Sequence, residues 1–323
     1  MHKEITYSPS YTIVPTYECF NRCSYCNFRV HIGQGNLLTL EQAEKKLDQL
    51  RHNQVSEILI LSGEFHPHSA NRKVWFERIY DLCLLVLEKG YLPHTNVGPL
   101  TKREMEQLKQ VNISLGLMLE QVAESLESGV HRYSPSKKVN LRLEQLNLAG
   151  KLKIPFTTGL LFGIGEDQIS WWKSLEEIAK VWQKWGHIQE VILQPHSPEP
   201  FQQSPFELKN MPYLVKRARE ILPDEVTIQI PPNLITNPQI LLECLDMGAR
   251  DLGGIGPIDE VNPTYSHVSL NELTDLLDSA GWKLKPRLPI YERFYDWLPE
   301  SLRRSALWRS SIEKTDLNFK PFS

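Results

Sequence analysis

The sequence has no long apolar run, no excess of charge of one sign and no repetitive segment. No apolar run approaches the roughly 18 residues that a membrane span requires. The first residues, MHKEITYSPS, lack the apolar stretch of a signal peptide, so we expect a cytoplasmic protein with no membrane partner. Lys and Arg number 36 against 39 Asp and Glu, and the net charge of −3 gives no overall attraction to nucleic acid. Gly and Pro number 17 and 22 without a low-complexity tract, so we expect no extended disorder.

Cysteine is also scarce, but it is unevenly distributed. Three of the five cysteines, Cys19, Cys23 and Cys26, fall within eight residues, in YECFNRCSYCNFR. Such spacing has about one chance in a thousand of arising somewhere in a chain of this composition. An odd number of cysteines in an intracellular chain argues against a disulfide framework and favours metal binding or catalysis. Cys83 and Cys244 lie in apolar helical patterns, and we interpret both as small buried hydrophobic residues.

Eight short apolar runs alternate with amphipathic segments along the chain. They predict strands over residues 11–16, 56–62, 91–97, 113–119, 155–162, 188–195, 225–230 and 251–256. Capping patterns at Thr39, Thr101 and Ser269 predict helix starts, and Gly90, Gly186, Gly248 and Gly281 predict helix ends. Strand–helix alternation repeated eight times is typical of an α/β fold of the (β/α)8 TIM-barrel type. We predict one barrel domain over residues 11–282, with an N-terminal extension of residues 1–10 and a C-terminal extension of residues 283–323.

Polar or glycine-rich signatures follow every predicted strand. In chain order they are the cysteine trio, Ser62-Gly63-Glu64, His94-Thr95-Asn96, Glu120, residues 163–166, Gln194-Pro195-His196, Asn233 after two prolines, and residues 253–256. The active site of a (β/α)8 barrel lies at the carboxyl ends of its strands. The pattern therefore predicts a single central site there.

The cysteine spacing indicates a particular kind of metal site. Three thiolates can bind three irons of an iron–sulfur cube and leave the fourth iron without a protein ligand. An open coordination position is typical of catalytic metal sites. Two alternatives stay open, a zinc site with His31 as fourth ligand and an electron-transfer cluster with Cys83 or Cys244 as fourth ligand.

At this trio the chain resembles the radical S-adenosylmethionine (SAM) superfamily, whose signature has the same cysteine spacing and an aromatic residue before the last cysteine. The resemblance implies a 4Fe–4S cluster on Cys19, Cys23 and Cys26, with SAM bound to the fourth iron as a consumed co-substrate. It also implies cleavage of SAM to methionine and a 5′-deoxyadenosyl radical, chemistry that belongs to the cofactor. Contacts with SAM are expected from the strand-end carboxylate Glu120 and, by resemblance, from Tyr25, Ser62, Gly63, Glu64, Gly163 and Glu166.

Longer stretches resemble the family of 7,8-didemethyl-8-hydroxy-5-deazariboflavin (FO) synthase subunit 1. They are LPHTNVGPLT (92–101), LGLMLE (115–120), HRYSPSK (131–137), IPFTTGLLFGIGE (154–166), QEVILQPH (189–196), PPNL (231–234) and DLGGIGPIDEVNP (251–263). The similarity runs from about residue 10 to about residue 290. Residues 65–68 and 137–140 depart from the family pattern, and because both segments are expected in loops, only local loop contacts are in doubt.

This second resemblance implies a lyase that closes the deazaflavin ring. It would convert 5-amino-5-(4-hydroxybenzyl)-6-(D-ribitylimino)-5,6-dihydrouracil and SAM to FO, 5′-deoxyadenosine, methionine and ammonia. A separate FO synthase subunit 2 would supply the substrate, and a low-potential electron donor would supply the electron. A ribityl chain and a uracil ring need neutral hydrogen-bonding groups, so we expect substrate contacts from His94, Asn96, Tyr133 and Asn233. No catalytic residue is assigned.

Two other functions stay open on the sequence. One is a different radical SAM chemistry, such as that of a menaquinone-precursor cyclase or a biotin synthase-like sulfur insertion. Sulfur insertion needs a second cluster, for which Cys83 and Cys244 are poorly suited. The other is a non-enzymatic iron–sulfur protein.

Overall fold

The computed structural model describes residues 3–51, 54–196, 206–256 and 269–315, so residues 257–263 of the last family-like stretch lie outside the described part. The strands are β1 Lys3–Ile13, β2 Glu57–Leu61, β3 Leu92–Asn96, β4 Ser114–Gly116, β5 Phe156–Phe162, β6 Ile188–Pro195, β7 Thr227–Gln229, β8 Asp251–Ile255 and β9 Trp282–Pro286. The α-helices are α1 Leu40–Leu47, α2 Arg72–Glu88, α3 Lys102–Lys109, α4 Glu124–Ser128, α5 Val139–Lys151, α6 Gln168–Trp185, α7 Met211–Ile221, α8 Pro238–Asp246, α9 Leu270–Ser279 and α10 Glu300–Thr315. Short 3-10 helices span Pro135–Lys137, Leu208–Asn210, Pro232–Leu234 and Glu292–Trp297.

Strands β1 to β8 form a closed parallel barrel. They pair in chain order, and β1 closes the barrel by pairing with β2 on one side and β8 on the other. The predicted (β/α)8 fold is confirmed. Strand β1 begins at Lys3, ahead of the predicted run at 11–16, because its first half pairs with β9. The sequence did not predict residues 3–10 as a strand because Ser8 and Ser10 interrupt the apolar pattern, although both serines are buried.

The ends of the helices follow local signals in the sequence. The side chains of Thr39 and Thr101 accept hydrogen bonds from the backbone N–H groups of Gln42 and Glu104. The side chains of Gln42 and Glu104 in turn accept from the backbone N–H groups of the two threonines, which completes two capping boxes. Gly186 ends α6 in the left-handed conformation (φ 64°), which favours glycine. Cys83 and Cys244 are fully buried between the barrel and its helices, as predicted. No helix of the described part is long and apolar enough to cross a membrane.

The amino-terminal end of the barrel is closed by the segment that follows β9. The N–H of Arg287 donates to the carbonyl of Tyr7 at 2.8 Å, and its guanidinium is bound to Asp251, the first residue of β8. The carbonyl of Pro289 accepts a hydrogen bond at 2.6 Å from Ser114, the first residue of β4. Residues 287–291, named here the floor segment, therefore cross the amino ends of the strands. Beneath it, the apolar residues Leu92, Ile113, Leu288, Ile290, Phe294, Leu302 and Ala306 form a second small core.

Candidate active site

A cavity of about 480 Å³ extends from the loops at the carboxyl ends of the strands to the floor segment. The predicted site residues that line it are Cys19, Cys23, Tyr25, Cys26, Ser62, Gly63, Glu64, His94, Asn96, Glu120 and Asn233. Three others, Gly163, Glu166 and Tyr133, are not among its lining residues. The sequence reasoning missed several deep residues that also line it, namely Glu57, Gln189, Glu190 and Arg287.

The cysteine loop, residues 14–39 between β1 and α1, is fixed by hydrogen bonds at both of its ends. One carboxylate oxygen of Glu18 accepts from the backbone N–H groups of Gly33 and Gly35, both at 2.8 Å. The N–H of Phe20 donates to the carbonyl of Glu64 at 2.9 Å, which ties the loop to the residues after β2. These contacts hold the three cysteines over the barrel mouth without any disulfide.

The chemistry of the thiols fits a cationic metal cluster. The pKa of Cys19 is raised to about 11: burial is the largest cause, the nearby carboxylate of Glu64 also raises it, and local hydrogen bonds lower it. Burial also raises the pKa of the Cys23 thiol, although Lys137 acts in the opposite direction. Neutral thiols are poor metal ligands, so these residues need a strongly positive partner to become thiolates, and binding such a partner would release protons.

The two alternative metal sites gain no support. Zinc would need His31, which is exposed and lies with its Nδ1 3.4 Å from the guanidinium of Arg29. A fourth cysteine ligand would have to be Cys83 or Cys244, and both are fully buried in helices away from the cavity. In the described part of the chain, no three His, Cys, Asp or Glu side chains, the cysteine trio included, are placed to hold a single ion, whereas in a cluster each cysteine would bind a different iron.

Gly63 is required by the close approach of two backbone segments. A Cβ atom at this position would lie 2.1 Å from the carbonyl oxygen of Glu18. The N–H of Gly63 donates to the carbonyl of Thr16 at 2.8 Å, and its carbonyl accepts from Trp75 Nε1 at 3.1 Å and from the Ser62 hydroxyl at 2.8 Å. Both backbone polar groups of Gly63 are thus used within the protein. The neighbouring residue Glu64 lines the cavity and can offer its carboxylate to a ligand.

Two acid–base pairs line the cavity near the cysteines. Lys137 donates to Glu120 in a short ion pair, and Arg142 Nη2 lies 3.5 Å from Glu64 Oε1. Burial acts to raise the pKa of Glu120, but the cations Lys137 and Arg142 outweigh it, and the net pKa is lowered. Glu120 has a left-handed backbone (φ 67°), which is uncommon outside glycine and marks a constrained position. Sequence reasoning missed both cations, although Lys137 belongs to the family-like stretch HRYSPSK.

Gly163, Glu166 and Tyr133 lie beside the cavity. The carboxylate of Glu166 accepts from the N–H groups of Gly163 at 2.7 Å and Ile164 at 2.9 Å, and from Trp171 Nε1 at 2.7 Å. It therefore stabilises the turn after β5. The Tyr133 side chain is 60% exposed, while its carbonyl accepts from the N–H of Arg22 at 3.0 Å. Their predicted contacts with SAM and substrate stay predictions.

His94 is a neutral side chain inside the barrel. Burial lowers the pKa of its imidazole, and the electrostatic effects of Glu57 and Arg287 oppose each other. Its Nδ1 lies 2.6 Å from the hydroxyl of Ser114. Asn96 lines the same side of the cavity at the end of β3, and Asn233 lines it from the 3-10 helix after β7. The structure thus brings three of the four predicted substrate contacts to one cavity.

Comparison with known proteins gives consistent results. A family model described as the radical SAM superfamily matches residues 13–178. The 7,8-didemethyl-8-hydroxy-5-deazariboflavin synthase of Thermosynechococcus vestitus is 57% identical over 307 residues, covering 94% of this chain and 98% of the relative. The protein of the same description from Trichodesmium erythraeum is 56% identical over 316 residues, covering 97% and 99%.

Solved structures share the fold at low sequence identity. The FeFe-hydrogenase maturase HydG from Carboxydothermus hydrogenoformans is 17% identical with a TM-score of 0.72, covering 98% of this chain and 80% of that chain. Methylornithine synthase is 17% identical with a TM-score of 0.63, covering 88% and 84%.

Proposed function

Since the chain belongs to the radical SAM superfamily and, within it, to the family of 7,8-didemethyl-8-hydroxy-5-deazariboflavin synthases, we propose that it closes the deazaflavin ring as a carbon–nitrogen lyase. The proposed reaction converts 5-amino-5-(4-hydroxybenzyl)-6-(D-ribitylimino)-5,6-dihydrouracil and SAM to FO, 5′-deoxyadenosine, methionine and ammonia. One observation carries the proposal: one cavity is lined by three cysteines at its mouth and by polar side chains, among them His94, Asn96 and Asn233, further in.

The proposed ligands of a 4Fe–4S cluster are Cys19, Cys23 and Cys26. When bound, the cluster and SAM supply a 5′-deoxyadenosyl radical. The three thiols suit this role because thiolate is the usual ligand of iron–sulfur clusters and because all three line the cavity. The cysteine loop keeps them in place through its bonds to the strand ends.

The charged side chains near the cysteines are proposed to bind the polar groups of SAM. Glu64 offers a carboxylate to the methionine ammonium group, and Glu120 offers one to the ribose hydroxyls or the methionine end. Arg142 is buried and its Nη2 has no hydrogen-bond partner in the described part, so it can receive the SAM carboxylate. Lys137 and Arg142 lower the pKa of Glu120 and so keep its buried carboxylate ionised.

The inner part of the cavity is proposed to bind the substrate. His94, Asn96 and Asn233 present neutral hydrogen-bonding groups to the space that a ribityl chain and a pyrimidine ring would fill. We also propose that an FO synthase subunit 2 supplies the substrate and that a low-potential donor supplies the electron.

Anaerobic turnover tests the proposed function directly. Reconstituted protein is given SAM, a reductant and the subunit 2 product, and we expect a fluorescent deazaflavin together with 5′-deoxyadenosine. The variant Cys23→Ala should form neither. Cys244→Ala is the matched control, since it removes a buried thiol far from the cavity and should keep activity. Deoxyadenosine formation by Cys23→Ala at the wild-type rate, or no deazaflavin from the wild-type enzyme, would refute the proposal.

A spectroscopic experiment tests the open iron separately. Addition of SAM to the reduced protein should change the EPR signal of the cluster, because SAM would bind the iron that has no protein ligand. An unchanged signal would favour a closed electron-transfer cluster.

A further inference from the structure

The deepest part of the cavity presents hydrogen-bond acceptors because strand β6 has a bulge where it pairs with β5. The register of β5 and β6 shifts between Phe156 and Thr157, which pair with Ile188 and Glu190 and leave Gln189 as an extra residue. Successive side chains of a regular strand point to opposite faces, whereas a bulge can re-aim one of them. Consequently both Gln189 and Glu190 line the cavity.

The hydrogen bonds of His94 fix which of its nitrogens is free. The hydroxyl of Ser114 has one proton, which it donates to the carbonyl of Pro289 at 2.6 Å. The Ser114 oxygen must therefore accept from Nδ1 of His94, 2.6 Å away, and Nε2 of the neutral ring carries a lone pair. This Nε2 lies beside Gly116, where a Cβ atom would be 2.8 Å from it. The side chain is 8% exposed, lines the cavity and has no partner for Nε2 among the described residues.

Gln189 provides a second hydrogen-bond acceptor, and its side chain is bonded to Pro289 of the floor segment. Its Nε2 donates at 3.1 Å to the carbonyl of Pro289, an atom that only accepts, so the other amide atom is the oxygen. This Oε1 is buried and has no hydrogen-bond partner in the described part of the chain. Because Pro289 holds both Ser114 and Gln189, the floor segment orients the two acceptors together.

The charge around these acceptors is negative. Arg287 is the cation of the group, and its nitrogens are already bound to Asp251, Glu190 and the carbonyl of Leu288. Two buried carboxylates, those of Glu190 and Asp251, bind this guanidinium, and a third, that of Glu57, accepts a hydrogen bond from the hydroxyl of Ser8. Glu57 and Glu190 line the cavity, whereas Asp251 does not. Acceptors and carboxylates outnumber the single cation here, so the site suits a group that donates hydrogen bonds and carries positive charge.

We propose that His94 Nε2, Gln189 Oε1 and Glu190 form a subsite for the primary amino group of the substrate, the group that leaves as ammonia. The proposal rests on the proposed function and adds to it which end of the substrate enters the barrel first. The amine would lie against the floor segment, and the rest of the substrate would extend toward Asn96 and the cysteine loop.

Equilibrium binding without reductant tests the proposal, because no turnover then occurs. The probes are the substrate and its desamino analogue, which has hydrogen in place of the amino group. Since a hydrogen bond to a charged group contributes about 1.5–3 kcal/mol, we expect His94→Phe to weaken substrate binding about ten- to hundredfold. Its affinity for the desamino analogue should stay within about twofold of wild type. His94→Gln, which keeps an acceptor at the distal position, should restore part of the selectivity.

The matched control is His187→Phe. His187 is fully buried outside the cavity and both its nitrogens lack side-chain partners, so this change removes a buried imidazole without touching the site. It should leave both affinities unchanged. Glu190→Gln is the second variant, and it should reduce the preference for the amine even if His94→Phe folds poorly.

The outcomes separate the two levels of the proposal. Equal weakening of substrate and desamino analogue in both cavity variants, or no weakening in either, would overturn the amine subsite while deazaflavin formation by wild type still stands. If wild-type enzyme neither binds the substrate nor forms the deazaflavin, the proposed function fails, and the subsite fails with it.

Discussion

Replacing Glu190 by glutamine should make the protein's stability less dependent on pH. The pKa of Glu190 is raised to about 7: burial is the largest cause, Arg287 acts in the opposite direction, and the carboxylates of Asp251 and Glu57 add to the rise. The ordinary pKa is 4.5. Below that pH the carboxyl is protonated in the folded and unfolded states alike. As pH rises toward 7 the unfolded chain loses the proton first, so the ionisation of Glu190 increasingly favours unfolding.

The size of the effect follows from the two pKa values. A pKa difference of about 2.5 corresponds to about 3 kcal/mol in the free energy of unfolding, with the full penalty above pH 7. Part of it is already present at pH 5, so about 2 to 3 kcal/mol remains between pH 5 and pH 8. Glutamine keeps the volume and an acceptor oxygen for Thr157 or Tyr291, both 3.1 Å away, but does not ionise. Arg287 keeps its two bonds to Asp251.

Denaturant unfolding of the cluster-free protein at pH 5 and pH 8 measures this difference. Relative to wild type, the free energy of unfolding of Glu190→Gln should gain about 2 to 3 kcal/mol between pH 5 and pH 8. Glu41→Gln is the control, because Glu41 is exposed and pairs only with Lys45 on the helix surface. Parallel pH profiles for wild type and Glu190→Gln would show that the buried carboxyl is ionised throughout, and would refute the reasoning.

Three further predictions concern the mouth of the cavity. Gly63→Ala should displace the cysteine loop, because the new Cβ would lie 2.1 Å from the carbonyl oxygen of Glu18. Iron analysis after gel filtration should then find less iron than in wild type. An iron content equal to that of wild type would contradict this prediction. Glu166→Ala removes the carboxylate that accepts three hydrogen bonds and leaves their donors without this partner. It should lower the free energy of unfolding by about 1–3 kcal/mol. An unchanged denaturation midpoint would disprove this prediction. Lys137→Met removes the ion-pair partner of Glu120 and leaves its buried carboxylate beside Arg142 and His131. The variant should lower the free energy of unfolding by about 3 kcal/mol at pH 7 and by less at pH 4, where Glu120 can take up a proton. An equal loss at both pH values would argue against the ion pair.

The barrel could be predicted because its signals are local. Apolar runs mark strands, and side chains such as Thr39 and glycines such as Gly186 mark helix ends through bonds and backbone angles within a few residues. The mouth of the site was predictable for the same reason, since the cysteines, Gly63 and Glu64 are near neighbours along the chain or follow strand ends. The first half of β1 was missed because a barrel interior that carries polar groups breaks the apolar pattern.

The inner part of the cavity could not be predicted because distant segments build it. The bulge at Gln189 leaves no mark in the sequence, and regular alternation would place only one of Gln189 and Glu190 inside. Arg287 reaches carboxylates on β6 and β8 only after the chain has closed the barrel. Nothing in the sequence distinguishes Arg142 from an exposed helix residue, because its burial beside Glu64 depends on how α5 packs on the barrel.

The pairing of β1 with β9 has a consequence for protein synthesis. Residue 3 lies opposite residue 282, and Pro289 then supports the groups that line the innermost chamber. A nascent chain that has left the ribosome only as far as β8 can complete the ring of strands but lacks the base of its reaction chamber. Joining parts nearly 280 residues apart is entropically costly and tends to come late in folding. The ability to hold substrate would thus be acquired last, well after the cysteines have emerged.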